Sequence, residues 1–203
     1  MRKNLIAFVL LFAFFATTHA ENTQHENDAR IAKLTQDAEP ANLIHSPDGK
    51  WIVFVKKSDY IIPSNCFYFF EKGDHANEIW IISVNEMTKK LLVAPHFNCK
   101  DVSKAILDPH NLQFSPDSKT LYFETSAWVT SGAVHAVDAN GKHIRFVTDG
   151  GDLRIVQYGP YKGDLIVNQH RYRFKGDTPL GSYNWDWIFT PTGKQIKLYK
   201  KEG

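Results

Sequence analysis

The stretch Leu43 to Phe54, LIHSPDGKWIVF, returns at Leu112 to Phe123 as LQFSPDSKTLYF, with strand, turn and strand in the same register. This repeat constrains the fold more than any other feature, because one hairpin cannot bury its apolar face and stacked copies can. The turn chemistry is explicit. Ser46 accepts at the first turn position, Pro47 presets φ, Asp48 tolerates the third place and Gly49 permits a left-handed closing residue. Its flanks, NLIH and WIVFV, carry the branched and aromatic residues that suit a pleated surface. The second copy keeps Ser115, Pro116, Asp117 and Lys119 but has Ser118 in place of the glycine, which predicts mild strain.

A third copy, QYGPYKGDLIV at Gln157 to Val167, sets Pro160 on Pro116 and Pro47, and Tyr158 on Phe114 and His45. From Pro116 to Pro160 is 160 − 116 = 44 residues, within the roughly 40 to 45 of a four-stranded propeller blade. Pro47 to Pro116 is 116 − 47 = 69 residues, so the first unit carries an insertion of about 25 relative to that period. Each unit holds a second hairpin: Glu78 to Val93, Ala133 to Thr148 and Trp185 to Lys200. Asn140-Gly141 is a strong hairpin signal, Gly193 takes the same place, and Thr88 replaces the glycine in the first unit. Two hairpins per unit predict an all-β chain of three four-stranded antiparallel blades, at about 41–94, 107–148 and 153–200. Thr35 precedes Pro47 by 12 residues, as Thr148 precedes Pro160, so Ile31 to Thr35 is expected as an orphan outer strand, although Ile31 to Leu34 also fits a short amphipathic helix.

The SPDGK hairpin followed by a strand of the WIISV type resembles the PD40 repeat, the WD40-like blade of the exported TolB family and of prolyl-oligopeptidase-type propellers. It covers about Arg30 to Lys200. The resemblance implies a small or incomplete β-propeller, a periplasmic or secreted location, and a role as a binding or assembly platform. In that family, chemistry comes from an attached domain. No G-x-S-x-G elbow occurs here. Closed propellers have four to eight blades. Three blades leave two solutions open, a capped open stack or a homodimer of two copies completing a ring.

The chain begins with Arg2 and Lys3, an apolar run from Leu5 to Ala16, and Thr17 to Ala20. This reads as a signal peptide over 1–20, too short to span a bilayer of ~30 Å, followed by a flexible segment over 21–29. With 24 Lys+Arg and 22 Asp+Glu in the whole chain, loss of Arg2 and Lys3 leaves 22 − 22 = 0. A neutral domain lacks the electrostatic footprint of nucleic-acid binding, and no stable membrane span is expected after cleavage. Cys66 and Cys99 are the only cysteines, and in an exported chain the pair reads as a disulfide, with two buried thiols the alternative.

The connections on one rim are long and aromatic: Ser58 to Ala76, Ile106 to Asn111, Thr125 to Gly132 and Asn168 to Asn184. Loops on a rigid scaffold carry function disproportionately. His110, Trp128, His170, Arg171 and Tyr183 are the candidate ligand-facing residues, since aromatic and Arg side chains dominate binding hot spots. Each also has a plain structural use, with Trp128 capping a sheet. The expected function is a non-enzymatic module that binds an envelope protein, peptide or glycan. The alternative is a small metal-dependent lyase or hydrolase, but none of the nine histidines has the spacing of a self-contained metal site. No catalytic residue, metal site or cofactor is assigned. His135 is expected to face opposite to Val134 and Ala136, and His45 to line the core or a channel wall.

Overall fold

A computed structural model describes residues 26–36, 38, 43–63 and 70–201. The expected signal peptide, residues 21–25 and Cys66 lie outside them. Among the described residues twelve strands form three consecutive sheets, each a four-stranded antiparallel meander. The first sheet holds β1 (Ile44–His45), β2 (Trp51–Ile61), β3 (His75–Ser83) and β4 (Thr88–Val93). The second holds β5 (His110–Phe114), β6 (Thr120–Trp128), β7 (Ser131–Asp138) and β8 (Arg145–Asp149). The third holds β9 (Gly151–Ile155), β10 (Leu165–Lys175), β11 (Thr178–Phe189) and β12 (Gln195–Lys201).

The two SPD corners form as their residues dictate. Ser46 Oγ donates to Asp48 Oδ1 at 2.7 Å and accepts from the Trp51 N–H at 3.0 Å. Ser115 repeats both bonds, to Asp117 at 2.6 Å and from Thr120 at 3.0 Å. The Ser46 hydroxyl, then the Lys50 N–H, hold the Asp48 carboxyl down at about 2. Ser118 sits at φ +62°, where Gly49 has +70°. Its hydroxyl accepts the Asp48 N–H at 3.0 Å, so the second corner is bonded to the first.

The third corner differs from expectation. Lacking the Ser-x-Asp pair, it closes more widely, between Val156 and Asp164, with the Val156 N–H donating to Asp164 O at 2.9 Å. Tyr158 is therefore in the turn and 85% exposed, whereas Phe114 is 6% exposed in a strand. In the β3–β4 turn Met87, not Thr88, takes the left-handed conformation, at φ +50°. Gly193 has φ +88°, and a Cβ there would stand 2.0 Å from Val147 O, so this turn requires glycine for its conformation and for its approach to β8.

Side-chain alternation builds two apolar interfaces. Val53, Ile79, Ile81 and Val93 of the first sheet meet Leu112, Phe114, Leu121, Phe123 and Val137 of the second. Tyr122, Val134, Ala136 and Val147 of the second meet Leu153, Ile155, Leu165, Val167 and Phe189 of the third. The far face of the first sheet, Ile52, Phe54 and Ile82, packs Ile31 and Leu34 of a helix, α1 (residues 26–34). This corrects the orphan strand at Ile31 to Thr35. A strand there would need a partner to satisfy its backbone, whereas a helix satisfies its own and still buries an apolar stripe. The Thr35 N–H donates to Ile31 O at 2.9 Å at the helix end.

Candidate functional site

Glu124 is the pivot of the rim between the second and third sheets. It lies in β6, opposite His110 on β5. Only 6% exposed, it requires partners. Its Oε1 accepts from Asn111 Nδ2 at 2.5 Å and from the Leu153 N–H of β9 at 2.6 Å. Asn111 Nδ2 and Gln113 Nε2 both donate to Leu153 O, at 3.1 and 2.5 Å. Both backbone groups of Leu153 are thus taken by side chains of the neighbouring sheet. To aim its amide there, Asn111 adopts φ +46°, a conformation Asn tolerates better than most residues.

The other oxygen of Glu124 faces His110 Nε2 at 3.6 Å. His110 Nδ1 is 2.8 Å from Asp108 O and donates to it. Glu124, and after it the Asp108 carbonyl, raise the imidazole to about 9 against a smaller opposing effect of burial. Burial pushes the Glu124 carboxyl up, and the bonds from His110, Leu153 and Asn111 together outweigh it, leaving it below its ordinary value. At neutral pH the pair is an imidazolium on a buried carboxylate.

His110 and Glu124 line a cleft of about 390 Å³ with Ser126, Trp128, Ser131 and Gly151. Ser126 donates its N–H to Asp108 Oδ1 at 2.8 Å and its hydroxyl to Asp108 Oδ2. The cleft floor needs glycine. A Cβ on Gly151 would lie 3.3 Å from Glu124 Oε2, and one on Gly132 would lie 2.9 Å from Gly150 O. Trp128 packs edge-on against Phe146, 6.4 Å between centroids, and Phe146 against His135 at 6.0 Å. His135 stacks on Phe123 at 5.3 Å, and burial lowers it to about 4, so it is a neutral core residue. His45, expected to line the core or a channel wall, is exposed and so not in the core.

His170, Arg171 and Tyr183 were expected on a loop and instead stand on strands. Beyond the Asn168–Gly151 pair β9 ends, and beyond the Trp185–Lys201 pair β12 ends, so β10 and β11 continue as a two-stranded ribbon. Arg171 and Tyr183 are direct partners on one face. His170 falls on the other, with Nδ1 2.9 Å from Asn184 Oδ1 and its ring edge-on to Tyr172 at 5.0 Å. The structure therefore brings His110 to Trp128 and Arg171 to Tyr183, and separates His170 from both pairs. Gly150, whose Cβ would meet Asn168 O at 2.5 Å, joins the cleft to the ribbon base.

The Arg171 face carries more than the sequence reading named. Tyr183, Trp185 and Trp187 follow one another at centroid spacings of 4.1 and 6.3 Å. The Arg171 guanidinium lies 4.2 Å over Trp187, Arg173 lies 5.0 Å over Tyr183 and 5.4 Å over Trp185, and Lys201 Nζ lies 5.0 Å over Trp185. Trp185, Trp187, Arg173 and Lys201 were missed, although RYR and YNWDW each place these types on alternate residues. Glu124 was missed too; its signal is a lone carboxylate within the run LYFETS. Among the described residues no group of three His, Cys, Asp or Glu side chains is placed to hold a metal.

No protein-family model matches the chain, and no match among curated proteins was found. Among solved structures, dipeptidyl peptidase 4 of Porphyromonas gingivalis is similar over 79% of this chain and 24% of its own, with TM-score 0.51 and 9% identity. The β-propeller domain of the Trilobed protease from Pyrococcus furiosus matches over 79% of this chain and 43% of its own, at TM-score 0.46 and 15% identity. The putative TolB of Agrobacterium tumefaciens matches over 76% and 46%, at TM-score 0.40 and 13% identity. The chain thus spans about a quarter of the first structure and less than half of the other two. The likeness is one of fold, and three consecutive four-stranded sheets stacked on common cores give this chain the architecture of an incomplete β-propeller.

Proposed function

We propose that the chain is an exported blade module of the TolB-like, PD40 kind that binds an envelope partner through the rim joining its second and third sheets. The observation that carries this reading is the ribbon of β10 and β11 running past its sheet with Arg171 and Tyr183 on one face, beside a cleft holding the His110 imidazolium and Trp128. The cleft suits recognition. The carboxylate oxygens of Glu124 are taken up by Asn111, Leu153 and His110, and the Ser126 hydroxyl is held by Asp108. What faces outward is a cation and an indole, and Trp is among the side chains that recur at binding hot spots.

Export follows from the leader-like start of the sequence. A bridge between Cys66 and Cys99 belongs to the same reading, and among the described residues no cysteine is free. The open stack is preferred over a ring of two copies, since α1 occupies the face of the first sheet that a second copy would need. Affinity capture from the native envelope tests the function. Mature protein should retain a partner that Trp128→Ala with Arg171→Ala loses, while both proteins melt as folded domains. Equal capture by the two would sink the rim assignment, and a dimer mass in light scattering would sink the open stack.

A further inference from the structure

We propose that the ribbon face bearing Arg171, Arg173, Tyr183, Trp185 and Trp187 binds a linear acidic glycan, a chain of uronic acid units. The inference rests on the binding reading above and names the class of partner. Three features of the face carry it. The rings succeed one another on alternate residues of β11, so they form a strip and not an isolated contact. Each cation lies over a ring, which holds the positive charge at the surface of the strip. And among the described residues no carboxylate neutralises Arg171, Arg173 or Lys201. Among the described residues, ion pairs form at Lys50, Lys104, His110, Lys119, His143 and Arg154, none of them on this face. Among the described residues the Arg171 guanidinium donates to the neutral side-chain oxygens of Gln169 and Gln195, with no carboxylate against it.

A row of successive tilted rings with cations laid over them matches a polymer whose units present an apolar C–H face and a carboxylate at regular intervals. An acidic peptide fits less well. Peptides that add to a sheet bind along the hydrogen-bonding edge of a strand, whereas these rings and cations stand on the face, perpendicular to that edge. The strip also offers three platforms in succession, which a single small anion would leave mostly unused. Arg173 is exposed, so its charge can be removed without opening a core.

Titration calorimetry at low salt with a hexameric oligouronate, a neutral glucan hexamer and hexaglutamate tests the assignment. The oligouronate should bind, more weakly as salt rises, and the neutral glucan should not. Arg171→Gln with Arg173→Gln should weaken oligouronate binding by about tenfold or more, with an unchanged melting curve for R173Q alone. No oligouronate binding by folded protein, equal binding of the neutral glucan, or tighter binding of hexaglutamate would each overturn the proposal. Envelope capture separates the two readings. Capture intact with a flat oligouronate titration removes the glycan assignment alone, whereas oligouronate binding by the unsubstituted protein together with equal capture by both proteins leaves the glycan assignment standing and removes the broader reading.

Discussion

The two ends of the stack are closed by different means. On the first sheet, Ile52, Phe54 and Ile82 form an apolar outer face, and α1 lays Ile31 and Leu34 over it. On the third sheet, Ile166 and Ile188 point outward too, at 7% and 2% exposure, but no helix covers them among the described residues. Long polar side chains do so. Arg154 pairs with Asp186 and lies 5.9 Å over Tyr199, while Lys197 lies 4.4 Å over Tyr161 and Asn168 donates to Asp186 at 2.9 Å. Stacked repeats need capping at both ends. One cap here is borrowed from outside the repeat, and the other is made from the terminal repeat's own residues, whose aliphatic stems shield the isoleucines while their charges reach water.

That contrast can be broken at several points. The largest effect should come from Phe54→Ala, which empties a fully buried site beneath α1 and should cost about 3–5 kcal/mol in denaturant unfolding. A loss below about 1 kcal/mol would mean that the helix does not bury that face. Next, Asp186→Ala removes the acceptor shared by Arg154 and Asn168 and should cost about 1–3 kcal/mol, with Asp186→Asn milder. Leu34→Ala trims a half-buried contact of the helix and should cost about 1–2 kcal/mol. It should also raise hydrogen exchange in β2 and β3 without affecting β10 and β11.

The smallest effect is a pH dependence. Burial pushes the Asp186 carboxyl up, but bonds from Asn168 and Arg154 outweigh it and leave it lowered. A lowered carboxylate stabilises the fold above its unfolded value near 3.8 and loses that contribution as pH falls through the folded one. Glu124 has the same sign. His110 has the opposite sign: its contribution is complete below 6.5 and fades as pH rises through about 9. Acid should therefore loosen the third sheet at Asp186 and the second at Glu124, while the exposed Asp48 corner of the first sheet loses a contribution that solvent already screens, and alkali should weaken the cleft. Hydrogen exchange across the pH range reads both, and uniform loosening of all three sheets in acid would erase the distinction between the ends.

Much of this was written locally in the chain. The Ser-x-Asp corners, the Asn140-Gly141 turn and the branched strands each fix their own conformation through neighbours in sequence, so the three-sheet plan could be read from them. Failures occurred where distant partners decide. Ile31 to Thr35 was matched to an outer strand by spacing alone, and what makes it helical is a sheet face some twenty residues away that needs a cover. Asn168 to Asn184 looked like a loop because it is charged and contains Gly176, Pro179 and Gly181, yet pairing along β10 and β11 holds it extended. In the site, His110 and Trp128 were legible as rim residues. The Glu124 anchor was not, because its role depends on Leu153, which is 29 positions further along.

Ser118 deserves a second consideration through its bond to the Asp48 N–H. By turn preference alone, glycine would be the easier residue at this left-handed position, and a designer polishing the corner would install it. Doing so would relax one peptide unit and remove the hydrogen bond that ties the corner of the first sheet to that of the second. The residue that fits its own turn less well is thus the one that joins two blades at their corners.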